Sequence, residues 1–388
     1  MPELPIIQLT LREGILDLGW GHPDGALLPV EAMRRAAARA LEHHGADTLA
    51  YGDAHGPGPL RAWLVARIAA REGRAPDPSE LMITGGASQG LDLVCALLTR
   101  PGDVALVESP TYHLAVRILR DHPLELVPVP RDEGGLRLDA LEQIVAGLRR
   151  SGKAPRLLYT VPTFHNPTGI SLAGERRGAL VELAEAGDFV IVEDDVYREL
   201  SYDGPAPASL WSMAPAGRVV RLGSFAKSLA PGLRLGWLTA DAATVARIAD
   251  GGLLDSGGGV NHFTAMAVAA LCEAGDFDAQ VERLRAAYRE RRDALVAALR
   301  EHLPPSCAVD SPAGGFFVWV RLPQGADASA LLPAAERAGV SYIPGARFHL
   351  DGAGANTLRL AFSLYGPAEL REAARRLGGA LSELLGPS

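Results

Sequence analysis

Short apolar segments rich in Val, Ile and Leu alternate with helical patterns over the first 275 residues or so. In the stretch 87–98, Leu91, Val94, Cys95 and Leu98 recur at i, i+3, i+4 and i+7, which predicts a helix with one buried face. Short apolar strands separated by helices are typical of a mostly parallel sheet covered on both faces. The predicted strands span residues 81–84, 104–108, 124–129, 156–161, 189–193, 219–223 and 235–238.

The pattern changes after about residue 275. A charged helical stretch at 277–302 leads into a strand-like run at 315–321, then into helices and another strand near 357–362. We therefore predict an α/β fold with a large, mostly parallel sheet flanked by helices, plus a smaller α+β domain. The predicted divisions are an N-terminal segment at 1–42 that packs with the small domain, a large domain at 43–275 and a small C-terminal domain at 276–388.

Composition and charge exclude two kinds of partner. Acidic residues outnumber Lys and Arg by 46 to 38, for a formal net charge of −8, and no basic cluster offsets this balance. A nucleic-acid surface needs such a cluster, so we expect no nucleic-acid partner. No apolar run approaches the roughly 18 residues of a membrane helix, so we expect no membrane partner either. Apolar residues at 48% are sufficient for a large core.

The cysteines and histidines narrow the expected location and chemistry. Cys95, Cys272 and Cys307 lie far apart and form no disulfide framework, which is typical of a reducing compartment. The first residues lack the basic leader and apolar run of a signal peptide, so we expect a cytoplasmic chain. The ten histidines show no metal-binding spacing, and we expect no metal.

Polar residues follow five of the predicted strands, at the sheet edge where ligands bind in open α/β folds. Each has an ordinary structural interpretation as well. The Gly-Gly-Ala-Ser sequence is a capped helix entry, Asn-Pro-Thr-Gly is a good turn, and Lys227, one of only two lysines, could be a surface residue. Asp194 could be a solvated carboxylate and Tyr112 a core aromatic. The order and spacing of the segments nevertheless indicate a shared active site, built from residues 85–89, 109–112, 162–169, 194–197 and 224–227.

In this order the segments resemble the fold-type I pyridoxal-phosphate (PLP) enzymes, specifically the class I and II aminotransferases. The resemblance extends from about residue 14 to the C-terminus. It is strongest to the branch with 2-aminoadipate and aromatic aminotransferases and the effector domains of MocR-type regulators. The matching motifs are Tyr51-Gly52, Gly86-Ala87-Ser88-Gln89, Asn166-Pro167-Thr168-Gly169, Asp194-Asp195-Val196-Tyr197, the run 224–237, the small-domain run 314–319 and Leu358-Arg359-Leu360.

The resemblance implies the central chemistry. Lys227 would attach to the aldehyde of pyridoxal 5′-phosphate as an aldimine and then shuttle the substrate α-proton. Asp194 would keep the pyridine nitrogen protonated, so that the ring acts as an electron sink. Arg359 offers a planar fork for the substrate α-carboxylate.

The same resemblance implies the rest of the cofactor site. Tyr112 would stack on the ring, while Asn166 and Tyr197 would hydrogen-bond the ring oxygen, with Asn166 also contacting substrate. Tyr51 would reach the phosphate of the partner subunit, which implies a homodimer with shared active sites. The phosphate cradle would consist of Ala87, Ser88, Gln89, Ser224 and Arg234.

Departures from the family pattern affect substrate recognition. Trp20 and His22 stand where relatives more often carry small or polar residues, and they either recognise the substrate side chain or pack. Gly21 between them is also expected to contact the substrate. His165 precedes Asn166 where the branch often has Gln.

We predict a PLP-dependent aminotransferase that moves an amino group from an L-amino acid to a 2-oxo acid. An alternative is a PLP enzyme of another reaction type, such as a lyase, decarboxylase or oxidative deaminase of specialised metabolism. A third hypothesis, a non-enzymatic MocR-type sensor, would require a preceding winged-helix DNA reader. We do not expect one, because the catalytic pattern begins within about a dozen residues of the start of an acidic chain.

Overall fold

In the computed structural model, which describes residues 6–215 and 217–385, helices and strands alternate through the first two thirds of the chain. The strands are β1 (Leu16–Asp17), β2 (Leu81–Thr84), β3 (Val104–Ser109), β4 (Glu125–Asp132), β5 (Gly135–Leu136), β6 (Pro155–Thr160), β7 (Val190–Asp194), β8 (Val219–Ser224), β9 (Gly236–Thr239), β10 (Ala308–Val309), β11 (Phe317–Arg321), β12 (Val340–Ser341), β13 (Ile343–Pro344) and β14 (Thr357–Ala361). The helices are α1 (Val30–His44), α2 (Gly58–Glu72), α3 (Ala87–Leu98), α4 (His113–Asp121), α5 (Leu138–Arg150), α6 (Gly174–Gly187), α7 (Leu210–Met213), α8 (Ala242–Ala249), α9 (Gly252–Gly257), α10 (His262–Glu273), α11 (Asp276–His302), α12 (Ala328–Arg337) and α13 (Pro367–Leu385).

The large sheet has eight strands in the order β2-β9-β8-β7-β6-β3-β4-β5. The central strands β8, β7, β6, β3 and β4 are parallel, and all six residues of β3 are buried. All seven strands predicted for this region are present, and the mostly parallel sheet confirms the predicted fold class. Strand β9 runs antiparallel to both of its neighbours. The connection from β8 to β9 is only residues 225–235, too short for the helical crossover that a parallel pair requires.

A smaller antiparallel sheet, β10-β11-β14-β13, lies in the C-terminal third. The long helix α11 packs against α13 beside it. The N-terminal segment makes contacts in two places. Strand β1 pairs in parallel with β12, and α1 packs against α10 through Ala36 and Ala40 among its buried residues.

Two hydrophobic clusters cover the large sheet. One contains α3 and α4 and continues into the small sheet through Phe316, Val318 and Leu360. The other contains apolar side chains of α2, α5, α6 and α10. The carboxyl ends of the parallel strands therefore face the small sheet across a shared core. None of the helices in the described ranges is long and apolar enough to span a membrane.

Candidate active site

Asp194, at the end of β7, is a buried carboxylate that contacts no cation among residues 6–215 and 217–385. Its Oδ2 accepts a hydrogen bond from Tyr159 Oη at 2.6 Å, whereas its buried Oδ1 has no hydrogen-bond partner in the part of the chain that the structure describes. Burial raises the pKa of Asp194 to about 6, although the hydrogen bond from Tyr159 acts in the opposite direction. Because an unpaired buried acceptor is costly, Oδ1 is suited to an N–H donor of a bound molecule.

Lys227 lies on the connection between β8 and β9, within the electrostatic reach of Asp194. Burial lowers the pKa of its amine to about 8, against the attraction of Asp194 and together with the repulsion of Arg359 and Arg234. Its Nζ is 5.4 Å from the ring centroid of Phe316. A lysine with a lowered pKa has a substantial neutral fraction near neutral pH, which suits it to act as a nucleophile and base.

Arg359 is a buried guanidinium on β14, only 4% exposed. Its Nη1 donates to Asn166 Oδ1 at 2.9 Å, its Nη2 donates to the Gly19 carbonyl at 2.6 Å, and its Nε has no partner among the described residues. Its Cζ is 4.1 Å from the ring centroid of Phe317. Burial lowers the pKa of Arg359 to about 10, since its acceptors are neutral. This geometry leaves the guanidinium able to receive a carboxylate.

Two tyrosines next to these charges remain protonated. Tyr112 immediately precedes α4, and burial, with the charge of Asp194, raises the pKa of its phenol to about 12. Burial raises the pKa of Tyr197 well above its ordinary value, while hydrogen bonding with the Asn166 side chain opposes that shift. Both phenols are therefore hydrogen-bond donors at neutral pH.

The start of α3 is suited to bind an anion. Gly86, at φ +92°, precedes the helix, and a Cβ on Gly236 would lie 2.8 Å from the Gly86 Cα, so this close approach requires glycine. Arg234 Nη2 donates to the Gly85 carbonyl at 3.3 Å. Ser88 is an exposed residue of the first turn of the helix. Free backbone N–H groups beside a guanidinium favour a phosphate.

The remaining cradle residues make local hydrogen bonds. The side chain of Gln89 accepts from the backbone N–H of Gly85 at 2.6 Å, and Ser224 Oγ accepts from Ala226 N at 3.1 Å. Ala87 is the first residue of the helix. The two side chains thus fix the neighbouring backbone, Gln89 before α3 and Ser224 after β8.

The N-terminal segment reaches the same site. The rings of Trp20 and His22 are 5.4 Å apart, and burial together with the charge of Lys227 lowers the pKa of His22. A Cβ on Gly21 would lie 2.9 Å from Phe317 Cζ. Tyr51, by contrast, is 87% exposed in this single chain.

Sequence reasoning missed the hydrogen bond of Tyr159 to Asp194. Tyr159 lies within the predicted strand 156–161, but nothing in a buried strand distinguishes a polar partner from a core aromatic. The pairing of β6 with β7 brings the two side chains together. If the pairing of β6 with β7 were known, a tyrosine near the end of β6 would indicate a hydrogen-bond donor for the carboxylate at the end of β7.

Comparisons with known proteins agree with this geometry. The family described as aminotransferase class I and II matches residues 13–377. Aromatic-amino-acid aminotransferase 1 of Thermococcus litoralis is 34% identical, over 97% of this chain and 90% of that protein. The α-aminoadipate aminotransferase of Thermus thermophilus, solved with N-(5′-phosphopyridoxyl)-L-leucine, is 35% identical, with a TM-score of 0.86 over 96% of this chain and 93% of that one. The transcriptional regulator TauR of Rhodobacter capsulatus is 36% identical, over 93% of this chain and 73% of that protein.

The chain belongs to the class I and II aminotransferase family. It is a PLP-dependent enzyme that transfers an amino group between an amino acid and a 2-oxo acid, as the sequence predicts. The residues present fit that cofactor. The Oδ1 of Asp194, without a partner among the described residues, suits a pyridinium N–H, and the start of α3 suits a phosphate. Burial lowers the pKa of the Lys227 amine, which favours its reaction with an aldehyde.

Proposed function

We propose that the preferred amino donor is an L-amino acid with a large uncharged side chain, aromatic above all. The observation that carries this proposal is the Trp20–His22 ring pair at the edge of the site, close enough to Lys227 for its charge to lower the pKa of His22. A neutral imidazole and an indole offer an apolar surface. The similarity to an aromatic-amino-acid aminotransferase supports the same class of donor.

The charges around the site favour an uncharged side chain over a second carboxylate. Two guanidinium groups, Arg359 and Arg234, act on the pKa of Lys227. The first is assigned to the substrate α-carboxylate and the second to the cofactor phosphate. A distal carboxylate, as in 2-aminoadipate, would then face the Trp20–His22 pair, which carries no positive charge at neutral pH.

The reaction uses each buried group in a separate role. When bound, the cofactor supplies an electron sink for negative charge at the substrate α-carbon. Lys227 would hold the cofactor aldehyde, and its Nζ would serve as the base that accepts the substrate α-proton and returns it. Asp194 Oδ1 accepts the pyridine N–H and keeps that nitrogen protonated.

Neighbouring groups orient the reactants. Arg359 and Asn166 hold the substrate α-carboxylate, and Asn166 and Tyr197 donate to the ring oxygen of the cofactor. Tyr112 would stack on the ring, and residues 87–89 would bind the phosphate together with Ser224 and Arg234. These residues would together hold the substrate and the cofactor.

A homodimer with shared sites is part of the proposal. Tyr51 is exposed, and so are Leu49 nearby in the chain and Leu253 and Phe263 on the segment that packs beside it. The two segments are in contact, since a Cβ on Gly258 would lie 2.5 Å from the Gly52 carbonyl oxygen. Exposed apolar side chains of this kind mark an interface, across which Tyr51 would bind the partner's phosphate. The unpaired cysteines support a cytoplasmic location.

The donor class is tested by mixing the holoenzyme with single amino acids and no acceptor, and following the visible band of the cofactor. L-Phenylalanine, L-tyrosine and L-tryptophan should bleach the band faster than L-2-aminoadipate, L-glutamate and L-alanine, and a 2-oxo acid should restore it. Trp20→Ala should slow the aromatic donors selectively. His22→Arg should improve L-2-aminoadipate, with His22→Gln as the uncharged control. A wild-type preference for L-2-aminoadipate would overturn the proposed donor.

The shared sites are tested by mixing subunits. Lys227→Ala and Tyr51→Ala proteins are each expected to be impaired, but a mixed dimer would contain one site with both residues intact. Random mixing should then restore about a quarter of all sites. If no activity returns although mixed dimers form, Tyr51 does not act across the interface.

A further inference from the structure

A buried network of ionisable side chains, separate from the groups described above, lies next to the segment that carries Asn166. Glu108 on β3 is 1% exposed and pairs with the guanidinium of Arg131 on β4. Its Oε2 accepts a hydrogen bond from Val161 N at 2.9 Å and lies 3.2 Å from His165 Nε2. The carboxylate therefore joins two strands of the large sheet to the loop that follows a third.

The imidazole of His165 is the centre of a tight turn. Its Nδ1 lies 2.9 Å from Thr168 Oγ1, and Thr168 Oγ1 accepts from Ile170 N at 3.3 Å. The backbone closes around the ring, with Gly169 N donating to the His165 carbonyl at 2.6 Å. Nδ1 accepts from the Thr168 hydroxyl, so the proton of the neutral ring is on Nε2, which lies 3.2 Å from Glu108 Oε2 in an electrostatic contact and not in an aligned hydrogen bond.

The protonation states agree with this assignment. Burial lowers the pKa of His165 to about 4, so the ring is neutral at neutral pH. Burial opposes ionisation of Glu108, but the charge of Arg131, helped by the hydrogen bond from Val161 N, brings the pKa of Glu108 down to about 2. The network is a fixed arrangement of one ion pair and one neutral imidazole.

Asn166 follows His165 directly, and its Oδ1 accepts from Arg359 Nη1 at 2.9 Å. Rotation of the turn would move this amide away from the guanidinium and from the Tyr197 phenol. We propose that His165 is a positioning residue, which holds the Asn166 amide in place through Thr168 and Glu108. This inference rests on the roles proposed above for Asn166 and Arg359.

If His165 had a purely structural role, replacing it would change only the stability of the protein. If His165 positions Asn166, replacing it also changes the absorbance spectrum of the bound cofactor. An N–H donated by Asn166 to the ring oxygen favours the less protonated form of the bound chromophore. Loss of that donor should raise the midpoint of the pH titration of the visible band by about 0.4 to 1 unit, the equivalent of one net hydrogen bond.

The experiment titrates the visible band of the holoenzyme in wild type, His165→Ala, His165→Gln, Asn166→Ala and the His165→Ala/Asn166→Ala double variant. His165→Ala should shift the midpoint upward, in the direction that Asn166→Ala shifts it, and the double variant should shift no further than Asn166→Ala. His165→Gln should restore the wild-type midpoint, because its amide can donate to Glu108 and accept from Thr168. KM for amino acids should rise about threefold to tenfold in His165→Ala and recover in His165→Gln.

Two results would overturn the inference: a folded His165→Ala that titrates as wild type, or shifts that add in the double variant. If His165→Ala does not fold, Thr168→Val removes the hydroxyl donor at nearly constant shape and is judged by the same criteria. An unchanged midpoint in Asn166→Ala would instead refute the role proposed for Asn166. The two failures are therefore distinguishable.

Discussion

Asp194 and Asp195 are consecutive buried carboxylates at the end of one strand, and they have opposite surroundings. Asp195 Oδ2 accepts from Arg221 Nε at 2.9 Å and pairs with Arg198. Burial opposes its ionisation, yet these two cations hold the pKa of Asp195 below its ordinary value. Asp194 has a tyrosine for its only side-chain hydrogen-bond donor within the described ranges, and burial raises its pKa to about 6. Successive side chains of a strand point to opposite faces, which separates the two environments.

The buried arginines show the same difference. Arg221 is 2% exposed and contacts two carboxylates, Glu72 and Asp195. The acceptors of Arg359 in the described part of the chain, the Asn166 amide and the Gly19 carbonyl, are both neutral. Burying a charge without its counter-ion is unfavourable. Other side chains of the protein therefore compensate the charges of Asp195 and Arg221. The charges of Asp194 and Arg359 are left for cofactor and substrate to compensate.

The largest expected effect is the loss of activity on removal of Lys227, and the other lysine, Lys153, provides the control. Lys227→Ala should lower kcat by about 10²–10⁴-fold, since it removes the amine assigned to move the α-proton. Lys153, an exposed partner of Glu125, serves as the control, and Lys153→Ala should retain wild-type kcat. Borohydride reduction followed by peptide mapping should place the cofactor on Lys227. A label on Lys153 would refute the assignment.

The two carboxylates should respond differently to the same substitution. Asp194→Asn should lower kcat by about 10²–10³-fold with most of the cofactor retained, because the anion opposite the pyridine nitrogen is lost. Asp195→Asn should instead cost about 3–5 kcal/mol of stability, since it leaves Arg221 without one of its partners. Steady-state kinetics, cofactor absorbance and denaturant unfolding measure these effects. Normal turnover in Asp194→Asn together with loss of turnover in folded Asp195→Asn would reverse the assignment.

Removal of Arg359 should affect every substrate alike. A charge-assisted bidentate contact contributes about 2–4 kcal/mol, so Arg359→Ala should reduce kcat/KM by about thirtyfold to several-hundredfold for all amino acids. Arg359→Lys, which keeps the charge but loses the planar fork, should recover only part of this. Loss confined to one donor would place Arg359 in side-chain recognition instead.

The smallest expected effect concerns the apoenzyme. The pKa of Asp194 is raised from 3.8 to about 6 on folding, so the folded state gains a proton relative to the unfolded state in that interval. Its contribution to stability is present below pH 4 and is lost as pH rises through 6, by up to about 3 kcal/mol. Apo Asp194→Asn should therefore be more stable than wild type at pH 8 and equal to it near pH 4. Denaturant unfolding across this range measures the difference, and a constant difference would contradict the assigned pKa.

Much of the molecule could be predicted from the sequence. Helix α3 begins and ends at the predicted residues, and β2 does as well. Apolar periodicity is a local property, and the polar residues that follow each strand must meet at one sheet edge once the strands are parallel. For this reason the sequence alone predicts that Lys227, Asp194 and Asn166 lie in one active site.

Contacts between distant segments could not be predicted in this way. The partner of Arg359 lies 193 residues away at Asn166, and its second acceptor lies 340 residues away at Gly19. Three further features also join distant parts of the chain. Glu108 contacts both Arg131 and His165, Tyr159 donates a hydrogen bond to Asp194, and β9 runs antiparallel to its neighbours. These features depend on strand order, register and the docking of one sheet against another. A pattern with a period of two or 3.6 residues shows which face of an element is buried, but only the packed chain determines what that face meets.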